Sequence, residues 1–139
     1  MTAFAVIDTN LVLDLLVYGD PLSKRLRDAL DGHSLHWIST QPMRDELKRV
    51  LGYPHIVKRL GWVGEAEAGA ADVLRAFDAQ ATLVPVAAKA PFTCKDADDQ
   101  GFIDLACAHK ALLFSKDKAV LCMQKRLEKL GVKVQRHLA

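Results

Sequence analysis

The sequence predicts an α/β sandwich with a mainly parallel central sheet, and three observations carry that reading. Ala3-Phe4-Ala5-Val6-Ile7 is apolar on both faces, which suits a central parallel strand covered by helices on both sides. The stretch from Cys94 to Leu121 runs acidic loop, apolar helix, short apolar strand and second acidic tip, which is half of a βαβ unit. Strand and helix signals follow one another along the whole chain, without an internal repeat or a low-complexity segment. The 139 residues are read as one domain, long enough to bury roughly 70% of the unfolded surface.

Composition narrows the classes. Half of the residues are hydrophobic, and the net charge is only +2. A dedicated nucleic-acid binder is usually far more basic, so this balance permits nucleic acid as a partner without arguing for it. Cys94, Cys107 and Cys122 have no metal-ligand spacing, and two of them fall on apolar helix patterns. They read as buried free thiols in a reducing compartment. MTAFAVIDTN lacks the positive n-region of a signal peptide, and no apolar run approaches the ~20 residues that span a bilayer. The expectation is a cytoplasmic protein with no membrane partner.

The first strand, Ala3 to Ile7, ends abruptly at Asp8-Thr9-Asn10. These residues can cap the following helix, Leu11 to Leu16, while Asp8 points across the strand ends. Asp20-Pro21 then starts a helix over Leu22 to Leu30, with Leu22, Leu26, Ala29 and Leu30 as its buried stripe. Leu35 to Ser39 is a second strand, and His33 and His36 have no ligand spacing. A helix follows over Pro42 to Leu51. At about 100° per residue its stripe is Met43, Leu47, Val50 and Leu51, with Glu46 on the edge and Asp45 turned away.

Gly52-Tyr53-Pro54 ends that helix. A short one follows over His55 to Leu60, then a connector from Gly61 to Gly64. Glu65 to Gln80 is an Ala-rich helix burying Ala66, Val73, Leu74 and Phe77. Thr82 to Val86 reads as a strand, and Pro85 places it at a sheet edge. A loop over Ala87 to Thr93 leads into the acidic entry. The helix Phe102 to His109 and the strand Ala111 to Phe114 come next. The chain closes with a helix over Val120 to Leu130, Gly131 as its stop, and a strand over Val132 to Gln135.

The acids form the chemical pattern. Asp8 follows the first strand, and Asp117 follows Phe114-Ser115-Lys116, so both lie where open α/β sheets hold their ligands. Helical phase puts Asp99 in the buried sector of its helix and Asp104 on the outer face. Asp98 is a reserve candidate, and Asp96 precedes the helix and cannot be phased. Asp8, Glu46, Asp99 and Asp117 therefore converge from four segments. Buried carboxylates without partners are costly, and Lys95, Lys116 and Lys118 are few and flexible. A positive ion is expected there. Oxygen-only ligation selects a hard cation, Mg²⁺ or Mn²⁺, which activates water for phosphodiester cleavage.

These segments resemble the four successive motifs of a PIN domain, in particular the VapC-like toxin components of bacterial toxin–antitoxin pairs. The residues that carry the resemblance are Val6 to Asn10, the Glu46 helix, Asp96 to Ala106, and Leu113 to Asp117. The resemblance implies a three-layer α/β/α fold and a metal-dependent ribonuclease. By position, Asp8, Glu46, Asp99 and Asp117 match the four acids, Ser115 the small hydroxyl residue before the last, and Asn10 the polar residue of the first motif. The third motif holds several acids, so Asp96 or Asp98 can share the role given to Asp99.

The expected activity is endonucleolytic cleavage of single-stranded RNA, with Asp8, Asp99 and Asp117 anchoring the metal and Glu46 completing the pocket. The same resemblance implies a small antitoxin protein as partner and a homo-oligomer, a dimer. An antitoxin arginine inserted among the carboxylates would block the site. The Gly52–Gly64 segment, with Tyr53, Ile56, Val57 and Trp62, is the expected apolar contact for it. Two other readings stand beside this one: a structure-specific DNA nuclease, disfavoured by the lack of a long insertion to thread a flap, and a non-catalytic module binding RNA or protein. Aspartyl-phosphate chemistry fits poorly, because the second acid it needs is replaced by Asn10.

Overall fold

A computed structural model describes residues 3–62 and 64–138. Val63, within the expected connector, lies outside the described residues, as do Met1, Thr2 and Ala139. Five strands form one all-parallel sheet: β1 (Ala3–Ile7), β2 (Leu35–Ser39), β3 (Thr82–Leu83), β4 (Leu112–Phe114) and β5 (Lys133–Gln135). Their order is β3-β2-β1-β4-β5, with Ala5 opposite both Trp37 and Leu112. The chain builds outward from β1 on one side, then crosses to build outward on the other. The order thus reverses between β1 and β4, and such a switch point opens a crevice beyond the strand ends.

The alternation of β1 explains the three layers. Ala5 and Ile7 point into one core with Trp37, Phe114 and apolar residues of α1 (Thr9–Leu13), α2 (Lys24–Asp31), α3 (Gln41–Val50), α4 (Pro54–Leu60) and α5 (Ala66–Gln80). Val6 points into the other with Ile38, Leu113, Val134 and residues of α6 (Gln100–His109), α7 (Lys118–Leu121) and α8 (Gln124–Glu128). A strand apolar on both faces is what a sheet covered on both sides requires, and the α/β/α sandwich follows.

Several local expectations shift. The first helix begins at Thr9 and widens after Leu13 into a π-helical turn, Asp14–Tyr18, stopped by Gly19 in the left-handed region at φ 58°. Asp20 caps as expected, accepting a hydrogen bond from the Leu22 N–H at 2.9 Å. The turn that follows is 3₁₀ over Pro21–Ser23, which rotates Leu22 outward to 67% exposure, so it is not part of the buried stripe. β3 is an edge strand but spans two residues. Its last bond runs from Val84 N–H to Ser39 O at 2.8 Å, and Pro85 has no N–H to continue. The expected helix Val120–Leu130 is broken near Cys122, where the Met123 N–H reaches back only three residues to Val120 O. Cys94 is buried and Cys122 is exposed; all three thiols are free. Ile56 points into the core rather than outward, leaving Tyr53, Val57 and Trp62 on the surface. Among the described residues no helix is long and apolar enough to cross a membrane.

Candidate metal centre

The carboxylates gather at the switch point because each is fixed by the backbone of a different element. Asp8 leaves the end of β1, its own N–H bonded to Phe114 O of β4 at 3.0 Å. One carboxylate oxygen caps α1, accepting from Leu11 N–H at 3.0 Å, and the other accepts from the Ser115 hydroxyl. Ser115 is fully buried, and its oxygen also accepts from the Asp117 N–H at 3.1 Å. One hydroxyl thereby ties the end of β1 to the tip beyond β4. Asp117 in turn caps α7 through the Ala119 N–H at 2.8 Å.

Asp99 arrives from the opposite direction, as the last residue of a 3₁₀ turn, Ala97–Asp99, that leads into α6. Asp96 caps that turn by accepting from the Asp98 N–H at 3.0 Å. One oxygen each of Asp96, Asp99 and Asp117 lies within 4.8 Å of the others. Asp8, Glu46 and Asp99 line one cleft of about 240 Å³, together with Thr9, Asn10, Tyr53 and His55. Asp99 therefore joins two groups, with Asp8 and Glu46 in the cleft and Asp96 and Asp117 in the triad of close oxygens. Of the two reserve candidates, Asp96 joins the cluster. Asp98 is exposed and lines a neighbouring groove with Glu46 and Asp104.

Electrostatics set this cluster apart. Asp99 is 9% exposed, and its Oδ2 is buried with no hydrogen-bond partner among the described residues. Its pKa is pushed up to about 7, first by burial, then by the Asp117 carboxyl beside it, with repulsion from Asp96 and Asp8 adding to both. Asp8 is also raised, chiefly by burial, although the bonds from Ser115 and Leu11 oppose the shift. Among the described residues no lysine or arginine forms an ion pair with Asp8, Asp96, Asp99 or Asp117. Lys116, next to Asp117 in sequence, is held by Asp14 at 2.7 Å. Carboxylates alone, one of them with a buried orphan oxygen, fit a hard divalent cation.

Glu46 stands on the far wall of the cleft. Its Oε2 accepts from the Thr9 hydroxyl at 2.8 Å, whereas Arg49 approaches Oε1 only to 4.0 Å. Arg44 is taken by Asp78, a bidentate pair at 2.7 and 2.8 Å. Asn10 is exposed at the cleft mouth. Asp45 is exposed and bonds Gln41, as its phase requires. Asp104 departs from expectation. It is half-buried and accepts from the Ala90 N–H at 2.8 Å and the Gln100 amide at 2.7 Å, pinning the loop after β3 onto α6. The wheel placed Asp104 off the helix's core face correctly, but that loop covers it.

Sequence reasoning missed two supports. Thr9 orients Glu46, a contact between residues far apart in sequence that no local pattern signals. Gln100 also accepts from Cys94 N–H at 2.6 Å and donates to Phe92 O at 3.1 Å, clamping the approach to the acidic turn. Ser115→Ala should be informative here, because it leaves Asp8 and the Asp117 N–H each short of a buried partner. A loss of roughly 1–3 kcal/mol in urea unfolding is expected. Any catalytic rate carried by the acids should fall about 10–100-fold, the usual effect of removing a group that orients ligands.

A search of curated proteins finds no match to this chain. The family model described as PIN domain matches residues 5–119, a span that contains the end of β1 with Asp8, the Glu46 helix, the acidic turn and Asp117. That match covers most of the chain and agrees with the five-stranded parallel sheet and its carboxylate cluster; the protein belongs to the PIN domain family.

Proposed function

We propose that this protein is an endoribonuclease that cuts single-stranded RNA with Mg²⁺ or Mn²⁺, and that it acts as the toxin of a toxin–antitoxin pair. PIN domains are generally nucleases, and the acidic cluster is of the kind that serves divalent metal ions. The observation that carries the reading is the orphaned, buried Oδ2 of Asp99 among acids that form no ion pair among the described residues.

Asp99, Asp117 and Asp96 would hold the cation, with Asp8 on the facing wall. When bound, a divalent cation supplies charge to a scissile phosphate and lowers the pKa of an attacking water. The chain's own residues prepare the rest. Ser115 fixes the Asp8 carboxylate as an acceptor turned to the cleft, and Thr9 aims Glu46 across it to orient a nucleophile or hold a second ion. Both Asp8 oxygens already accept hydrogen bonds, which suits a positioned ligand better than a nucleophile forming an aspartyl phosphate. Asn10 at the mouth is placed to meet the sugar-phosphate chain.

A nuclease of this kind acting freely inside a cell would be harmful. That consequence, with the VapC-like motifs, supports a small antitoxin whose arginine enters the cleft, and a dimeric assembly in the cytoplasm. The deciding experiment incubates purified protein with labelled single-stranded RNA, a DNA flap and a chromogenic phosphate ester, each with Mn²⁺, Mg²⁺ or EDTA. Metal-dependent cutting of RNA alone is the expected result. Cutting of the flap in preference to RNA would transfer the site to DNA, and inert substrates in every metal would leave a binding module. Co-expression with an adjacent small reading frame should suppress both cleavage and growth arrest.

A further inference from the structure

Between Glu46 and Glu65 the chain has no acidic residue, yet it carries Lys48, Arg49, His55, Lys58 and Arg59. This basic stretch contains α4 and borders an acidic cleft, in a protein whose net charge is only +2. Among the described residues it also carries the two most exposed large aromatics, Tyr53 and Trp62. Tyr53 and His55 line the cleft with Asp8 and Asp99, their rings 6.3 Å apart. Farther along α4 the Arg59 guanidinium lies 4.9 Å from the Trp62 ring and 5.6 Å from the Tyr18 ring. Trp62 is 66% exposed and Tyr53 42%. Ile56 and Leu60 anchor α4 in the core, with Tyr53 as its N-cap and Trp62 just past its C-cap Gly61, so the two aromatics flank a fixed helix.

We propose that α4 is the track by which single-stranded nucleic acid leaves the acidic cleft: bases stack on Tyr53 and Trp62, and the flanking phosphates meet Lys58 and Arg59. The inference rests on the nuclease reading and adds where the strand runs. An aromatic platform interleaved with cations is the usual solution for binding unpaired strands, because every base has a π-face and every nucleotide a phosphate. Arg59 against Trp62 pre-positions the indole and leaves much of the ring to solvent. Continuity decides between occupants. Tyr53 belongs at once to the cleft wall and to the basic segment, so the cleft and that segment are continuous there. Of the residues expected from sequence to meet an antitoxin, Ile56 is buried while Tyr53, Val57 and Trp62 are exposed, so a protein interface is among the outcomes of the test.

The test uses metal-free protein, so that binding is read without cleavage. A 12-nucleotide single-stranded RNA is titrated while intrinsic tryptophan fluorescence is followed. The chain has two tryptophans, and Trp37 is 1% exposed against Phe77, so a stacking base reports on Trp62. Quenching is expected in the wild type and little with the duplex of the same sequence. Trp62→Leu should abolish the quench and weaken binding about tenfold, with Trp62→Phe restoring most of the affinity. Tyr53→Ala and Arg59→Ala should each weaken it roughly five- to tenfold. Circular dichroism melts check that each variant folds. Unchanged affinity in all three truncations overturns the track. So does a switch from dimer to monomer at constant RNA affinity, which would make the patch a protein interface. Wild-type cleavage with an unaltered KM in the variants keeps the nuclease and rejects the track; quenching without cleavage under any metal keeps the track and rejects the nuclease.

Discussion

Asp99→Asn, Asp117→Asn and Asp8→Asn are each expected to lower metal-dependent RNA cleavage on the order of a hundredfold or more, while Asp45→Asn stays within about a factor of two. Each of the first three removes one formal charge from a group in the cleft or its triad of close oxygens while keeping the side-chain shape. Asp45 carries the same charge in the same helix as Glu46, but it faces solvent and bonds Gln41. The comparison therefore isolates position from charge. Glu46→Gln should fall between, at roughly tenfold, since Thr9 can still donate to the amide oxygen. Asp104→Ala separates folding from chemistry. It frees the Ala90 N–H and the Gln100 amide, so it should cost roughly 1–3 kcal/mol of stability while the turnover of the folded fraction holds. Initial rates at saturating Mn²⁺, corrected for folded fraction, settle the matter. Full activity in Asp8→Asn or in Asp99→Asn would move the site elsewhere.

The reach of the sequence differed between these residues for physical reasons. The strand ending at Asp8 was legible because a run apolar on both faces has few solutions besides a covered parallel strand, and such a strand places its next residue at the sheet rim. Glu46 and Asp45 were separable because a ten-residue helix keeps its phase. Asp96 was not, because it caps a 3₁₀ turn whose geometry the wheel for α6 does not extend to. Asp104 was phased correctly to the outer face, yet it is half-buried. A wheel gives direction on one helix and cannot know that the loop after β3 lies over it, held by Gln100. The same limit hid Thr9, whose partner is brought near only by packing of α1 on α3. Leu22 failed for a local reason, the 3₁₀ turn after Asp20-Pro21, which resets the helical phase.

The metal-free protein should lose stability as pH rises from about 4 to about 7, and divalent metal should return it above that range. Asp99 titrates near 7 in the folded chain, above its ordinary value of 3.8. Between those values the unfolded chain has released the proton that the folded chain still holds. Folded protein then binds more protons than unfolded, so unfolding free energy falls with pH and levels off once Asp99 ionises. Below the unfolded value the group contributes nothing to the slope. Asp8, raised by burial, adds to the same sign. Above pH 7 Asp99 is an anion among Asp96, Asp117 and Asp8, and a cation relieves that repulsion. Binding only to the folded state contributes about 2.7 kcal/mol at a hundredfold excess over Kd. For a chain of this size that is a rise in Tm of roughly 10 °C. Asp99→Asn distinguishes this account from a nonspecific salt effect. Its amide can donate to Asp117 at every pH, as protonated Asp99 does only below 7. The variant should therefore melt higher than the wild type at pH 8 without metal, show a flatter pH profile, and gain little from Mn²⁺. Differential scanning fluorimetry from pH 4.5 to 8.5, with EDTA or millimolar Mn²⁺, measures all three. A wild-type melting curve indifferent to metal at pH 8, or an Asp99→Asn variant as metal-responsive as the wild type, would remove Asp99 from the centre of the site.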